Sequence, residues 1–197
     1  MVKKMRSAVF DLAAIGLANL CLAGPAMADG EFAQADVSSE TVGIVLSVGR
    51  GNWTTDLSYF EYNEGWAKAL SLRHALPVAG PLTLKLGPTV SVRYENATGR
   101  ISEEVGVRFS AERYQPTDFG SLYVLGELGS VDHAAFALAQ VGFKSGLAIE
   151  MSAGGSDTYS EKTIGFSKRI NGGPYSVRAG YRFETKVAFL GFSFNTF

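Results

Sequence analysis

Hydrophobic and polar residues alternate along most of the chain after about residue 41, with the two-residue period of a β-strand. The clearest segment runs from 82 to 95, where leucine, valine and tyrosine alternate with threonine, lysine, serine and arginine. A second runs from 105 to 112 and a third from 175 to 184. Because one face of each segment is apolar and the other is small or polar, each predicts a strand that separates two different environments.

Eight further segments show the pattern less cleanly. They are 41–49, 53–62, 66–76, 120–128, 134–143, 146–153, 158–169 and the final segment from Lys186 to Phe197. Short runs rich in Gly, Asn and Pro separate the candidates, at 49–52, 63–65, 77–80, 115–118 and 171–174. Strands of soluble sheets usually have about 5–6 residues, whereas strands that cross a membrane need about 9–11. The candidate lengths therefore favour a membrane.

A sheet in a membrane must close on itself, because lipid offers no hydrogen-bond partner to an open strand edge. We therefore predict an all-β fold, an antiparallel up-and-down transmembrane β-barrel of 10–12 strands. Single-chain bacterial barrels have an even number of strands. The eleven candidates would become twelve if the weakly patterned stretch from Glu31 to Val37 is also a strand. Eight strands remain an alternative if the short candidates between 120 and 153 are loops.

The first 28 residues have the features of an export signal. Three basic residues within the first six precede an apolar run from Ala8 to Ala23, and Ala26-Met27-Ala28 fits a small-residue cleavage site. The apolar run is shorter than the roughly 20 residues of a membrane-spanning helix. We predict that 1–28 is a cleaved signal peptide and 29–197 is a single barrel domain. Cys21, the one cysteine of the sequence, lies in this leader, so we expect no disulfide in the barrel.

The net charge and the histidine content argue against several classes of function. Without the leader, 15 Lys and Arg stand against 18 Asp and Glu, a net charge of −3, which argues against nucleic-acid binding. His74 and His133 are the only histidines, and neither has a metal-ligand spacing. Asp132-His133 resembles, faintly, the Asp/His pair of omptin proteases, but the second acidic pair of those enzymes has no counterpart here. We predict a non-enzymatic protein without a metal or cofactor.

The polar face of the predicted strands carries charges of both signs, as a narrow lumen needs if charges are to be paired. We expect Arg178 and Arg182, four residues apart on one strand face, to pair with Glu104, Glu127 or Glu150. Lys68 lies instead on the apolar face of its strand, so we expect it near a membrane interface or on a strand of inverted parity. The predicted lumen-facing charges are Lys85, Arg93, Glu104, Arg108, Glu112, Glu127, Glu150, Arg178 and Arg182.

The amphipathic strands, the leader and the terminal aromatic residue together resemble small Gram-negative outer-membrane β-barrel proteins. In that family a C-terminal aromatic signal is read by the barrel-assembly machinery, so the resemblance implies this role for Phe197, supported by Phe192 and Phe194. These two residues are out of phase with Phe197, and a bulge near Asn195 would restore the phase. The resemblance also implies a location in the cell outer membrane, with its lipid and the assembly machinery as partners.

The sequence thus predicts a narrow porin-like channel or a structural membrane protein. Two alternatives remain open: a soluble periplasmic barrel of lipocalin type, which would be apolar inside and polar outside, and an outer-membrane barrel enzyme.

Overall fold

The structure, a computed structural model, describes residues 29–78, 81–157 and 159–197. The predicted signal peptide, 1–28, lies outside the described residues. No helix in the described ranges is long and apolar enough to cross a membrane. Within these ranges the chain forms twelve strands and a short 3-10 turn at Val131–His133. The strands are β1 Gly30–Ser38, β2 Val42–Arg50, β3 Trp53–Tyr62, β4 Gly65–Ala75, β5 Thr83–Glu95, β6 Ile101–Thr117, β7 Gly120–Gly129, β8 Ala135–Phe143, β9 Leu147–Gly155, β10 Ser160–Arg169, β11 Tyr175–Arg182 and β12 Val187–Asn195.

The strands form one closed antiparallel barrel. Each strand pairs with its neighbours in the chain, and β1 pairs with β12, where Gln34 lies opposite Ser193 and Asp36 opposite Gly191. Closure pairs the edge strands that an open sheet would leave exposed. The prediction of an all-β antiparallel barrel is confirmed, with twelve strands in the described residues, and the alternative of eight is wrong.

The structure settles the alternative left open at 31–37 and corrects one predicted connection. The weakly patterned stretch at 31–37 is a strand, β1, whose outer face carries the small residues Ala33 and Ala35, so its contrast with the polar Gln34 and Asp36 is low. The connection predicted at 115–118 is wrong, because β6 continues to Thr117 and pairs Pro116 with Ser121. Pro116 lies next to the strand end, where loss of one N–H donor disturbs the ladder little.

The two faces of the barrel have opposite chemistry, and the polar face is inside. Large apolar side chains are exposed on the outer face, including Leu70, Val90, Val105, Val177 and Leu190. Buried polar side chains occupy the inner face, including Asp36, Asp56, Arg73, Glu150 and Arg178. This arrangement is that of a membrane barrel and the reverse of the lipocalin alternative.

We call the end of the barrel at which β1 begins and β12 ends the terminal end, and the other the opposite end. The connections at the opposite end follow β1, β3, β5, β7, β9 and β11. The 3-10 turn at Val131–His133 lies at this end, between β7 and β8.

Candidate functional site

The inner wall carries a buried cluster centred on Arg178, which we call the Arg178 cluster. Its guanidinium Nε donates to Asp36 Oδ1 at 3.1 Å, and Nη2 donates to Glu150 Oε1 at 3.0 Å. Gln34 Nε2 in turn donates to Asp36 Oδ2 at 2.7 Å. A cation on β11 thus lies between carboxylates from β1 and β9, and the positive charge of Arg178 is compensated within the wall.

Local sequence explains why Arg178 and Asp36 meet. Along β11 the alternation leaves Val177 50% exposed on the outer face and Arg178 7% exposed inside. Gly191 on β12 is the register partner of both Asp36 and Arg178. A Cβ at this position would collide with Asp36 Oδ1 and lie 2.6 Å from the Ala35 carbonyl oxygen. The absence of a side chain at Gly191 therefore leaves the space in which the ion pair forms.

A second buried cluster surrounds Arg73 and joins strands that are not neighbours. Arg73 Nε donates to Asp56 Oδ2 at 2.8 Å, and Nη1 donates to Glu127 Oε1 at 2.6 Å. Ser47 Oγ donates to Asp56 Oδ1 at 2.8 Å. This Arg73 cluster connects β2, β3 and β4 with β7 through side chains inside the barrel.

Lys85 and Arg93 both lie on β5, and each forms an ion pair near a different end of the barrel. Lys85 Nζ lies 2.6 Å from Glu112 Oε1, and Tyr123 Oη donates to Glu112 Oε2 at 2.9 Å. Arg93 forms an ion pair with Asp132 of the 3-10 turn. This second pair ties the turn to the inner wall near the opposite end.

The remaining predicted charges, Glu104, Arg108 and Arg182, form no ion pair with another described residue. Glu104 is exposed, on the same face of β6 as Arg108. Arg108 is half-buried and has no ion pair within the described part of the chain. Arg182 is buried, and its guanidinium carbon lies 5.4 Å from the centre of the Phe189 ring.

The structure brings Arg178 and Glu150 together, but the other expected pairings are wrong. Glu127 pairs with Arg73, and Arg182 has no ion pair among the described residues. Sequence reasoning missed Asp36, Asp56 and Arg73 as inner-wall charges. Strict alternation within β3 and β4 could have found the last two, because they share parity with Thr54 and Ser71.

The outer face carries aromatic residues near both ends of the barrel. At the terminal end Trp53 packs edge-on against His74, with ring centres 4.6 Å apart. Towards the opposite end Trp66 stacks on Tyr94 at 5.9 Å, and Lys68 Nζ lies 4.6 Å from the Trp66 ring centre. Lys68 therefore keeps the outer parity and directs its ammonium group towards a rim of aromatic rings.

The C-terminal aromatic residues are divided between the two faces. Phe192 and Phe194 lie outside against Tyr175, with ring centres 5.7 Å and 5.2 Å from it. Phe197 instead packs over Gly30 and Gly49, and a Cβ at Gly49 would lie 2.9 Å from its ring. Both glycines belong to the inner face, so the phase difference seen in the sequence persists.

The two histidines lie in different surroundings, His74 against Trp53 on the outer face and His133 in the 3-10 turn. His133 is 84% exposed, and its Nδ1 lies 2.9 Å from Asp157 Oδ2, while the neighbouring Asp132 pairs with Arg93. This ion pair raises the pKa of His133 above its usual value. Among the described residues, no group of three or more His, Cys, Asp or Glu side chains could hold a metal ion.

Comparison with known proteins gives a likeness of fold. No protein-family model matches the chain, and no curated protein matches it. Among solved structures, the KdgM porin aligns with TM-score 0.52, and the KdgM porin in complex with disordered oligogalacturonate with TM-score 0.51. Each has 8% sequence identity and covers 85% of this chain and 99% of its own. The chain has a porin-like barrel fold.

A further solved structure, Pseudomonas aeruginosa OpdK with vanillate, aligns less well. Its TM-score is 0.33 at 11% identity, over 79% of this chain and 56% of that one. This similarity is too low to support a conclusion.

Proposed function

We propose that the protein is a narrow, weakly selective channel of the Gram-negative outer membrane, reached after export by the predicted signal peptide. The observation that carries the proposal is a closed barrel with an apolar outer face and a charged inner wall. An apolar exterior suits lipid contact, and a charged interior suits water and ions. The porin-like fold supports the same assignment.

The inner-wall ion pairs determine what kind of channel this would be. Arg178 and Arg73 each bind two carboxylates, so neither arginine presents an unpaired positive charge and each cluster carries at most one net negative charge. Arg108 and Glu104 lack such partners among the described residues and have opposite charges. Rings of unpaired charge set the selectivity of pores, so a mixed wall of this kind favours weak ion discrimination.

Conductance in planar lipid bilayers tests the proposal. We expect small, steady current steps with a reversal potential close to zero in a salt gradient. Asp132→Asn should increase the step size, because it releases the turn at Val131–His133 from Arg93 at the opposite end. Glu61→Gln on the outer face is the matched control and should leave the current unchanged. Bilayers without current steps would contradict the channel proposal.

A structural membrane role is the second candidate function. The Arg73 cluster favours it, because Arg73 and Glu127 link β4 to β7 through the interior and brace the wall. A stable, inserted but non-conducting barrel would support this role.

We further propose that the barrel-assembly machinery reads the outward aromatic residues of β12. On the outer face Phe192 is exposed and Phe194 is half-buried, whereas Phe197 lies towards the inner face. Phe192→Ala should therefore reduce the amount of inserted protein in cells more than Phe197→Ala does.

A further inference from the structure

At the opposite end of the barrel, β6 extends well beyond its neighbour β7. β5 pairs with β6 as far as Ile101, whereas β7 ends at Gly129, which lies opposite Arg108. Among the described residues, the stretch 101–106 therefore has a neighbouring strand on one side only. We call this stretch the open edge. At about 3.3 Å per residue it is about 20 Å long.

The chain turns into the barrel directly after β7. Val131 lies over the inner face of β6, because a Cβ at Gly106 would lie 2.9 Å from Val131 Cγ2. Asp132 pairs with Arg93 on the inner face of β5. The 3-10 turn thus fills space inside the barrel and does not continue the wall beside the open edge.

The open edge presents backbone hydrogen-bonding groups to its surroundings. Val107, which follows it, donates its N–H to Ser130 Oγ at 2.9 Å and accepts the Ser130 N–H at its carbonyl at 3.0 Å. Because the direction of these groups alternates with a period of two, Ile101, Glu103 and Val105 direct theirs to the same side. Val105 is 82% exposed and Ile101 59%, so this side of the strand is accessible.

The open edge must lie outside the hydrocarbon of the membrane. Glu103 shares the outer parity of Val105, and a charged group on the outer face is unfavourable in lipid. Lipid also offers no partner to unpaired backbone groups. A partner would therefore meet the open edge in water.

The charges of the open edge favour one kind of partner. It carries Glu103 on the outer face and Glu104 on the inner face, and it contains no basic residue. Both side chains are exposed, and neither forms an ion pair with another described residue. A second copy paired antiparallel about the middle of the edge would bring acids opposite acids, which is unfavourable. Basic residues in the same positions would be attracted.

We propose that the open edge binds an extended, basic segment of a partner protein, which joins the sheet as a strand beside β6. Backbone hydrogen bonds to Ile101, Glu103 and Val105 supply the affinity, as in other cases of strand addition to a sheet edge. Basic side chains opposite Glu103 and Glu104 supply the selectivity. A segment that follows the direction of β7 is antiparallel to β6. This surface lies beside the wall and not in the lumen, so the inference is independent of the proposed channel.

A labelled peptide tests the open edge on the purified barrel in detergent. Thr-Val-Lys-Lys-Thr-Ile, paired antiparallel with 101–106, places its valine opposite Val105 and its lysines opposite Glu104 and Glu103. We expect fluorescence anisotropy to show binding of this peptide, and binding weaker by about tenfold or more for Thr-Val-Glu-Glu-Thr-Ile. N-methylation of the valine and the second lysine should abolish binding, because it removes the N–H donors that face β6 and keeps both charges.

Two variants of the protein separate charge from backbone. Glu103→Lys with Glu104→Lys should exchange the preference, so that the acidic peptide binds more tightly than the basic one. Glu40→Lys with Glu64→Lys is the matched control, because it makes the same change of charge in exposed turns at the same end. It should leave the preference unchanged. Val105→Pro should abolish binding with little effect on thermal unfolding, because the lost N–H faces no neighbouring strand.

Three results would overturn the proposal. They are no binding of the basic peptide to the wild-type protein, equal binding of its N-methylated form, and an unchanged preference in the Glu103→Lys, Glu104→Lys variant. Sedimentation of the wild-type protein as a dimer that Val105→Pro separates would identify a second copy as the occupant and would overturn the basic partner. Because none of these measurements requires a current, a silent bilayer would contradict the channel alone.

Discussion

Arg178 is the residue whose removal should disturb the barrel most. Arg178→Met would leave Asp36 and Glu150 facing each other without the cation between them. Breaking a buried pair of this kind costs about 3–5 kcal/mol. Thermal unfolding in detergent should therefore show a marked loss of stability. Val177→Leu, one residue away on the outer face, should change it little, and similar losses in both variants would contradict the assignment of faces.

Gly191 tests whether the ion pair depends on the space beside it. Gly191→Ala would place a Cβ against Asp36 Oδ1 and 2.6 Å from the Ala35 carbonyl oxygen. Overpacking of this kind costs about 1–3 kcal/mol. Gly126→Ala is a matched control, because nothing lies within 4 Å of its added Cβ. Thermal unfolding should separate the two variants, and equal stabilities would show that the gap at Gly191 is not required.

At the residue scale the sequence predicts which face a side chain occupies better than which partner it finds. Two-residue parity places Arg178 and Val177 on opposite faces. It does not reveal that Asp36, 142 residues earlier, lies beside Arg178, because that contact depends on closure of the barrel between β1 and β12. Arg182 has the same parity as Arg178, yet its surroundings at the end of β11 provide no ion pair.

At the element scale, the seam between β1 and β12 decides whether the sheet is closed. Gln34 lies opposite Ser193, and directly paired strand residues have Cβ atoms about 4.5–5.5 Å apart. With Cys21 replaced by serine, Gln34→Cys with Ser193→Cys should therefore form a disulfide. Gln34→Cys with Ser176→Cys should not, because Ser176 lies one strand further away, at about 9–10 Å. Thiol labelling under non-reducing conditions measures both, and free thiols in the first pair would contradict closure.

The 3-10 turn should respond to pH through His133. Its hydrogen bond and attraction to Asp157 raise the pKa of His133. The pair is therefore fully formed below the ordinary histidine pKa of about 6.5, and is lost as pH rises through the higher folded value. NMR titration of His133 should give a raised midpoint, and Asp157→Asn should lower it. A midpoint unchanged by Asp157→Asn would contradict the contact between His133, which lies between β7 and β8, and Asp157, which lies between β9 and β10.

The elements themselves could largely be predicted from alternation, and the exceptions have physical causes. β1 escapes clear recognition because Ala33 and Ala35 give its outer face little hydrophobic contrast. β6 appears shorter than it is, because Pro116 reads as a turn signal although it lies beside the strand end. The greater length of β6 does not alter the topology, because each strand still pairs with its neighbours in the chain.

At the scale of the whole molecule, the barrel encloses its charged side chains and exposes its large apolar side chains, which is the reverse of a soluble protein. Leu190 is 71% exposed and Val105 82%, whereas Arg178 and Glu150 are buried. A large exposed apolar surface is unfavourable in water. It marks a face that contacts another apolar phase. The folded barrel therefore depends on lipid that surrounds its outer face.

Tryptophan fluorescence tests that dependence most directly. The sequence has only two tryptophans, Trp53 and Trp66, and both lie on the outer face near opposite ends of the barrel. In liposomes, lipids with brominated acyl chains should quench the emission strongly and aqueous acrylamide only weakly. With both tryptophans replaced by phenylalanine, Phe189→Trp should place the fluorophore inside, where brominated lipid quenches little. Strong acrylamide quenching of the wild-type protein without quenching by brominated lipid would contradict a barrel that spans the membrane.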